Sequence, residues 1–354
     1  MSTTEQQDVT ARVSEVFSPA APINRRDLFA GRINQLERVF DAVNTRGQHA
    51  AIFGERGVGK TSLANIVKEI ASIKFTDAVA KINCAKAETF SSIWRKVLSQ
   101  IHLLIDNGQA TVSFKAEPAR HRATAADDLP EQITPLGILG AVECIEQSLF
   151  IFDEFDRLGS GQEQFADVIK TLSDASVNCT LVMVGVANNI DDLIREHASI
   201  DRSLVQILMP RMTSTELHEI LNKAMEALRM TMTDEARTLI VVLSQGLPHY
   251  THVLGKTSTM HAVHDLRWEI IIDDVKVSIT AAIESTEQSV RNSYQQATTS
   301  PRKDTIFRQV LLACDGRCRR AWLFCFSRRL RAALEDHGAK VRYFQFHAAP
   351  QQVL

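Results

Sequence analysis

Short, uniformly apolar runs alternate along this chain with longer stretches in which apolar residues recur at helical spacing. Ile33, Leu36, Val39, Phe40 and Val43 fall three or four positions apart, which predicts an amphipathic helix leading to Gly47. The run Ala50 to Phe53 is continuously apolar and stops at Gly54, after which Leu63, Ile66, Val67 and Ile70 resume the helical period. The order is strand, glycine loop, helix. Val79 to Cys84 predicts another strand, and Phe90 to Ile105 a helix carrying Trp94. Residues 106–135 are mostly polar or small and predict a long surface insertion.

Leu149 to Phe152 are all apolar, as a central parallel strand covered on both faces requires. Thr180 to Val186 and Val205 to Met209 predict two further strands. Strands separated by helices imply a parallel α/β sheet. After Pro210 the strand signals nearly stop, and Ser214 to Arg229, Thr233 to Ser244 and Tyr250 to His264 read as helices. The second part of the chain is therefore expected to be helical.

Composition narrows the class. At 354 residues the chain is too long for one core and predicts two or three domains. With 45% hydrophobic and 23% charged residues it is neither collagenous, disordered nor a disulfide scaffold. No run of eighteen apolar residues occurs, so no membrane-spanning helix is expected. The first residues, MSTTEQQDVTARVSEVF, lack the apolar stretch of a secretory signal, and the expected location is the cytoplasm. Cys84, Cys144, Cys179, Cys314, Cys318 and Cys325 form no CxxC pair, which predicts reduced thiols rather than bridges or a zinc site. The net charge of −2 conceals an asymmetry. Between Pro301 and Tyr343 eleven basic residues face four acidic ones, a surplus of +7, so the remainder carries −9.

The strongest chemical signal is GERGVGKT, which satisfies GxxxxGK[ST] in full at Gly54, Gly59, Lys60 and Thr61. Glycines let successive backbone N–H groups turn inward around phosphate oxygens, and the helix that follows adds its positive end. Lys60 would reach the β and γ phosphates, and the Thr61 hydroxyl would ligate Mg²⁺. A chance match in a chain of this length has odds of roughly one in a hundred. Gly54, Glu55, Arg56, Gly57, Val58, Gly59, Lys60, Thr61 and Ser62 are accordingly the candidate phosphate-binding residues. In FIFDEFD, Asp153 follows four apolar strand residues and so stands at the carboxyl end of a buried strand, where α/β sheets bind ligands. Asp153 is the second candidate for Mg²⁺, and Glu154 would polarise the water that attacks the γ phosphate.

The succession GERGVGKT, IFDEFD, TLVMVGVANN and IDRSLVQILMPRM resembles the AAA+ group of P-loop ATPases. PINRRDLFAGRINQLERVF before it is similar to the FxGR segment of the initiator-like (origin-recognition) clade and of the related STAND signalling ATPases. The resemblance covers about residues 19–298. It implies an AAA+ α/β nucleotide-binding domain over 23–212 with a parallel sheet and a helical lid over 213–298, while residues 1–22, polar with Pro19 and Pro22, read as an N-terminal arm and 299–354 as a basic segment. It also implies ATP and Mg²⁺ as cofactors, ADP and phosphate as products, and no membrane.

Carried over residue by residue, the resemblance sets Pro22, Ile23 and the Phe29 to Arg32 segment against the adenine. Asn188, with Asn189 beside it as the alternative, falls where the group senses the γ phosphate. Arg202 lies where such ATPases place the arginine that completes a neighbouring copy's site, which implies a homo-oligomer; a surface arginine is the competing reading. Arg211 is a weaker candidate for that role. The departure comes at GLPHYTHVL, where the initiator-like clade carries a lid arginine and this chain offers Gly246, Pro248, His249 and Tyr250, closer to the GxP signature of STAND ATPases. Pro248 and His249 would then touch the nucleotide, although a lone histidine is also an ordinary capping or core residue.

Thr305 to Cys314 resembles the start of a winged helix, but residues 315–354 do not continue that pattern. The tail reads either as a basic module contacting double-stranded DNA or as an incomplete winged helix whose charge has no role. Two functions follow for the whole: an ATP-hydrolysing machine that remodels or loads DNA or a protein partner, or a slow STAND-like nucleotide switch. The absence of NKxD argues against a GTPase.

Overall fold

The structure is a computed structural model describing residues 3–284 except 20, 75–77, 107–108, 113–121, 128, 144, 146, 159–161, 188–189, 191 and 195–199. Elements run α1 (Thr3–Val16), α2 (Ile33–Asn44), β1 (His49–Gly54), α3 (Lys60–Lys74), β2 (Val79–Asn83), α4 (Phe90–Leu98), β3 (His102–Asp106), β4 (Gln109–Val112), β5 (Arg122–Thr124), α5 (Pro135–Glu143) and β6 (Ser148–Asp153). A short 3₁₀ turn, Phe155–Arg157, follows, then α6 (Gln162–Asp174), β7 (Cys179–Val186), β8 (Leu204–Leu208), α7 (Ser214–Leu228), β9 (Thr231–Met232), α8 (Asp234–Ser244), α9 (Pro248–His264), β10 (Glu269–Ile270) and α10 (Ile272–Glu284).

Five strands pair in parallel in the order β2-β6-β7-β1-β8. Each central strand sends alternate residues to opposite faces, as the period of two demands. On β6, Phe150 and Phe152 enter one core while Leu149 and Ile151 enter the other, and β7 divides Leu181 and Met183 from Val182 and Val184 in the same way. Trp94 on α4 fills the first core, its ring within 5.3 Å of Phe152 and stacked on Phe165. This double burial is why these strands are apolar without alternation.

A third core belongs to the helices after Pro210. Thr213 opens α7 with a capping box, its side chain and that of Glu216 exchanging bonds with each other's backbone N–H. The segment expected as a polar arm contributes α1 to this core. Val9, Val13 and Val16 share one face of that helix and are buried with Phe17 against α7 and α9. A Cβ on Gly255 would stand 2.5 Å from Phe17 Cε1, so glycine is what admits the ring.

Two expectations are corrected. The helix predicted to reach Ile105 ends at Leu98, because residues 102–106 pair as β3 with β4 and β5 in a three-stranded antiparallel sheet. The insertion predicted over 106–135 therefore includes regular structure. Residues 285–354, including the basic segment, lie outside the described residues.

Candidate functional site

At the carboxyl edge of the sheet, β1 ends in Gly54, and residues 55–59 loop into the amino end of α3. Gly57 and Gly59 adopt φ of 86° and 96°, which side-chain-bearing residues rarely hold. Lys60, largely buried, donates from Nζ to the carbonyls of Gly54 at 2.8 Å and Glu55 at 2.7 Å. Burial lowers its pKa, against the pull of Asp156, Asp153 and Glu55. Such a lysine is costly unless anionic groups face it.

The neighbouring strand β6 delivers the acids. Asp153, buried, accepts at Oδ1 from Thr61 Oγ1 at 3.3 Å and from the Glu154 N–H at 2.9 Å. Its Oδ2 lies 2.9 Å from Lys81 Nζ as an ion pair and has no further hydrogen-bond partner among the described residues. Glu154 takes the left-handed conformation, φ 55°, an outlier that costs on the order of 1 kcal/mol and is common at functional sites. The Glu154 carboxylate meets Arg157 Nη1 at 2.7 Å.

These groups share a cavity of about 420 Å³, within the size range of small-ligand sites. Arg56, Gly57, Gly59, Lys60, Thr61, Ser62, Asp153 and Glu154 form one part of its lining, the phosphate end, and Pro22, Ile23, Phe29, Pro248 and His249 another, the two meeting where Pro248 Cγ stands 3.9 Å from the place of a Gly59 Cβ. Gly54, the last residue of β1, and Glu55 and Val58 of the loop are not among the described residues lining the cavity; Val58 is fully buried, and Glu55 pairs with Arg211 at 2.8 Å. The second end is held by contacts between distant segments. Ile23 N donates to Ser62 Oγ at 3.1 Å, and Asn65 Nδ2 to the Ile23 carbonyl at 3.4 Å. His249 Nδ1 is 3.0 Å from the Pro19 carbonyl, so it ties α9 to the segment after α1.

Arg32 fastens three parts together. Its Nη2 donates to the carbonyls of Val58 at 3.1 Å and Pro210 at 2.6 Å, while its backbone N–H donates to Glu216 Oε1 at 3.1 Å. Burial lowers the Arg32 pKa. Burial also acts to raise that of Glu216, but hydrogen bonds from the Thr213 and Arg32 amides and the Arg32 charge bring it below the usual range.

Arg202 is exposed in the turn before β8 and does not line its own chain's cavity. Asn188 and Asn189 lie outside the described residues. Sequence reasoning missed Arg157, Asp156, Lys81, Asn65 and His252. For Lys81 a signal existed: a lone charge within the apolar strand VAKIN. Asp156 and Arg157 were visible in the same DEFDR run as Glu154.

The donor set fits a nucleoside triphosphate with a hard divalent cation. Loop amides and Lys60 suit phosphate oxygens, and Thr61 with Asp153 supplies the oxygen ligands such a cation takes. The sheet and its flanking helices have the AAA+ P-loop NTPase fold. Residues 43–194 match the family described as "AAA domain". Among solved structures, a Walker-type ATPase of Pyrococcus abyssi is similar over 89% of this chain and 93% of its own, at 14% identity and a TM-score of 0.54. The Thermotoga maritima RuvB Holliday junction branch migration motor aligns over 76% of each chain, at 17% identity and a TM-score of 0.50. The Aeropyrum pernix ORC1 protein, in complex with DNA, aligns over 83% of this chain and 84% of its own, at 14% and 0.50. No curated protein matches the sequence.

Proposed function

We propose that the chain binds ATP with Mg²⁺ and hydrolyses it to ADP and phosphate, and that the nucleotide state sets the position of the helices after Pro210. The observation that carries this is the convergence of Lys60, Thr61, Asp153 and Glu154 on one cavity that Pro248 and His249 also line. Lys60 and the loop amides hold the phosphates. Glu154 takes the proton of the attacking water, and Arg157 holds its carboxylate in place. Arg202, exposed and away from its own cavity, is assigned to a neighbouring copy's site in a homo-oligomer. Asn188 is assigned to sensing the γ phosphate. Double-stranded DNA or a protein is proposed as client, because two of the similar structures are a branch migration motor and a DNA complex.

Lys60→Ala and Glu154→Gln test the reading together by nucleotide binding and phosphate release. Lys60→Ala should weaken ATP binding by about a thousandfold. Glu154→Gln should leave binding intact and cut turnover by at least about a hundredfold. Full hydrolysis in Glu154→Gln would remove that residue as the base. If turnover per chain is independent of concentration and unchanged in Arg202→Ala, the shared site is wrong.

One observation favours the slower, STAND-like switch. Among the described residues lining the cavity, the helices after Pro210 contribute Ile220, Pro248, His249 and His252, and no arginine. Nucleotide retained through purification, with turnover barely above background, is the expected result under that reading.

A further inference from the structure

Asp153 is offered as a ligand for a divalent cation, yet a cation of the chain's own is already beside it. Lys81, inside β2, places Nζ 2.9 Å from Asp153 Oδ2, with the two side chains only 11% and 3% exposed. Oδ1 is taken by two donors, Thr61 Oγ1 and the Glu154 N–H. Oδ2 is therefore the oxygen with capacity left, and it is the one that faces the ammonium. The lysine is also fixed in place, because Nζ donates to Asn65 Oδ1 at 2.5 Å and Asn65 Nδ2 reaches the Ile23 carbonyl at 3.4 Å. One chain of contacts thus runs from the acid at the phosphate end to the segment at the other end of the cavity.

We propose that Lys81 is a resident counter-ion of Asp153, a positioning residue that lowers the site's dependence on Mg²⁺ for holding a nucleotide. The proposal rests on the nucleotide reading above. Two cations that address one carboxylate weaken each other's hold, since each has neutralised the charge the other would use. In return, the ammonium cancels an acid that would otherwise repel phosphate oxygens when no divalent cation is present. A lysine pointing into solvent would do neither; the low exposure of both partners keeps the interaction from being screened.

The test is binding of a ribose-labelled fluorescent ATP analogue to the full chain, with excess Mg²⁺ and with EDTA. In the wild type, removing Mg²⁺ should weaken binding by no more than about tenfold, against a hundredfold or more where Asp153 lacks a partner. Lys81→Met keeps the stem and removes the charge, so its Mg²⁺-to-EDTA ratio should rise by about tenfold and its half-saturating Mg²⁺ should fall. Lys81→Arg keeps the charge and should hold the wild-type ratio. An unchanged ratio in Lys81→Met overturns the proposal. Should that variant fail to fold, the wild-type ratio decides alone: a loss above about a hundredfold in EDTA overturns it while leaving nucleotide binding intact. No binding under either condition sinks the nucleotide reading and this proposal with it.

Discussion

The two ends of the cavity are built on different plans. The phosphate end comes from two continuous stretches, residues 54–62 and 153–157, each fixed by the strand it follows. The other end comes from segments far apart in the chain: Arg32 meets Glu216 across 184 residues and His249 meets Pro19 across 230. The first plan sets most of the wall by the local course of two strand ends, with Arg32, Arg211 and Lys81 bracing it from outside. A wall made of long-range contacts changes whenever the helices that carry it move. Under the proposed function, the phosphate end would carry the constant chemistry and the other end would report the nucleotide state.

The largest effect of a single residue outside the phosphate end is expected from Phe17→Ala. The ring is fully buried between His252, at 5.9 Å in an edge-on contact, and Gly255. Its loss should cost roughly 3–4 kcal/mol, seen as a lowered melting temperature. The accompanying expectation is weaker nucleotide retention with Glu154-dependent turnover preserved. Equal damage to both would mean that the two ends are not separable.

Acid should come next. Burial pushes both His49, the first residue of β1, and His252, on α9, down to about 4 from an ordinary 6.5. Each is neutral when folded, while the unfolded chain takes up a proton below its ordinary pKa. Stability is thus fully present above about pH 6.5 and is lost as pH falls toward 4, by roughly 3 kcal/mol for each histidine at the end of that window. Urea unfolding at several pH values reads this directly, and His252→Phe should remove about half of the drop. A flat profile between pH 7 and 5 would show that neither histidine is held neutral.

Arg211→Ala is the smallest. Its guanidinium joins Glu55 of the glycine loop at 2.8 Å and approaches the Gln245 carbonyl at 3.4 Å, but both ion-pair partners are substantially exposed. A stability change below about 1 kcal/mol is expected from the melting temperature. A larger one would mean that the two regions are joined at this point rather than through Arg32.

The same contrast explains what was legible in the sequence. Lys60, Thr61, Asp153 and Glu154 were found because spacing and strand position alone define them. Pro22, Ile23, Pro248 and His249 were placed by resemblance, and the structure brings them to the cavity. His252 and the Pro19 carbonyl left no such trace, since their roles depend on which distant segment folds against them. Likewise α1 hid in a polar segment, because three valines in fourteen residues carry a buried face only once a partner is known. The antiparallel pairing of β3 with β4 was lost to an apolar run that served helix and strand equally well.

The packing of Phe17 beneath Gly255 also sets a schedule for synthesis. At roughly 5–20 residues per second, α1 leaves the ribosome some ten to fifty seconds before α9 is complete. Until α7 and then α9 emerge, Val9, Val13 and Phe17 lack the helices that cover them in the fold. The core after Pro210 closes only when its earliest helix, α1, meets its later ones, α9 and α10.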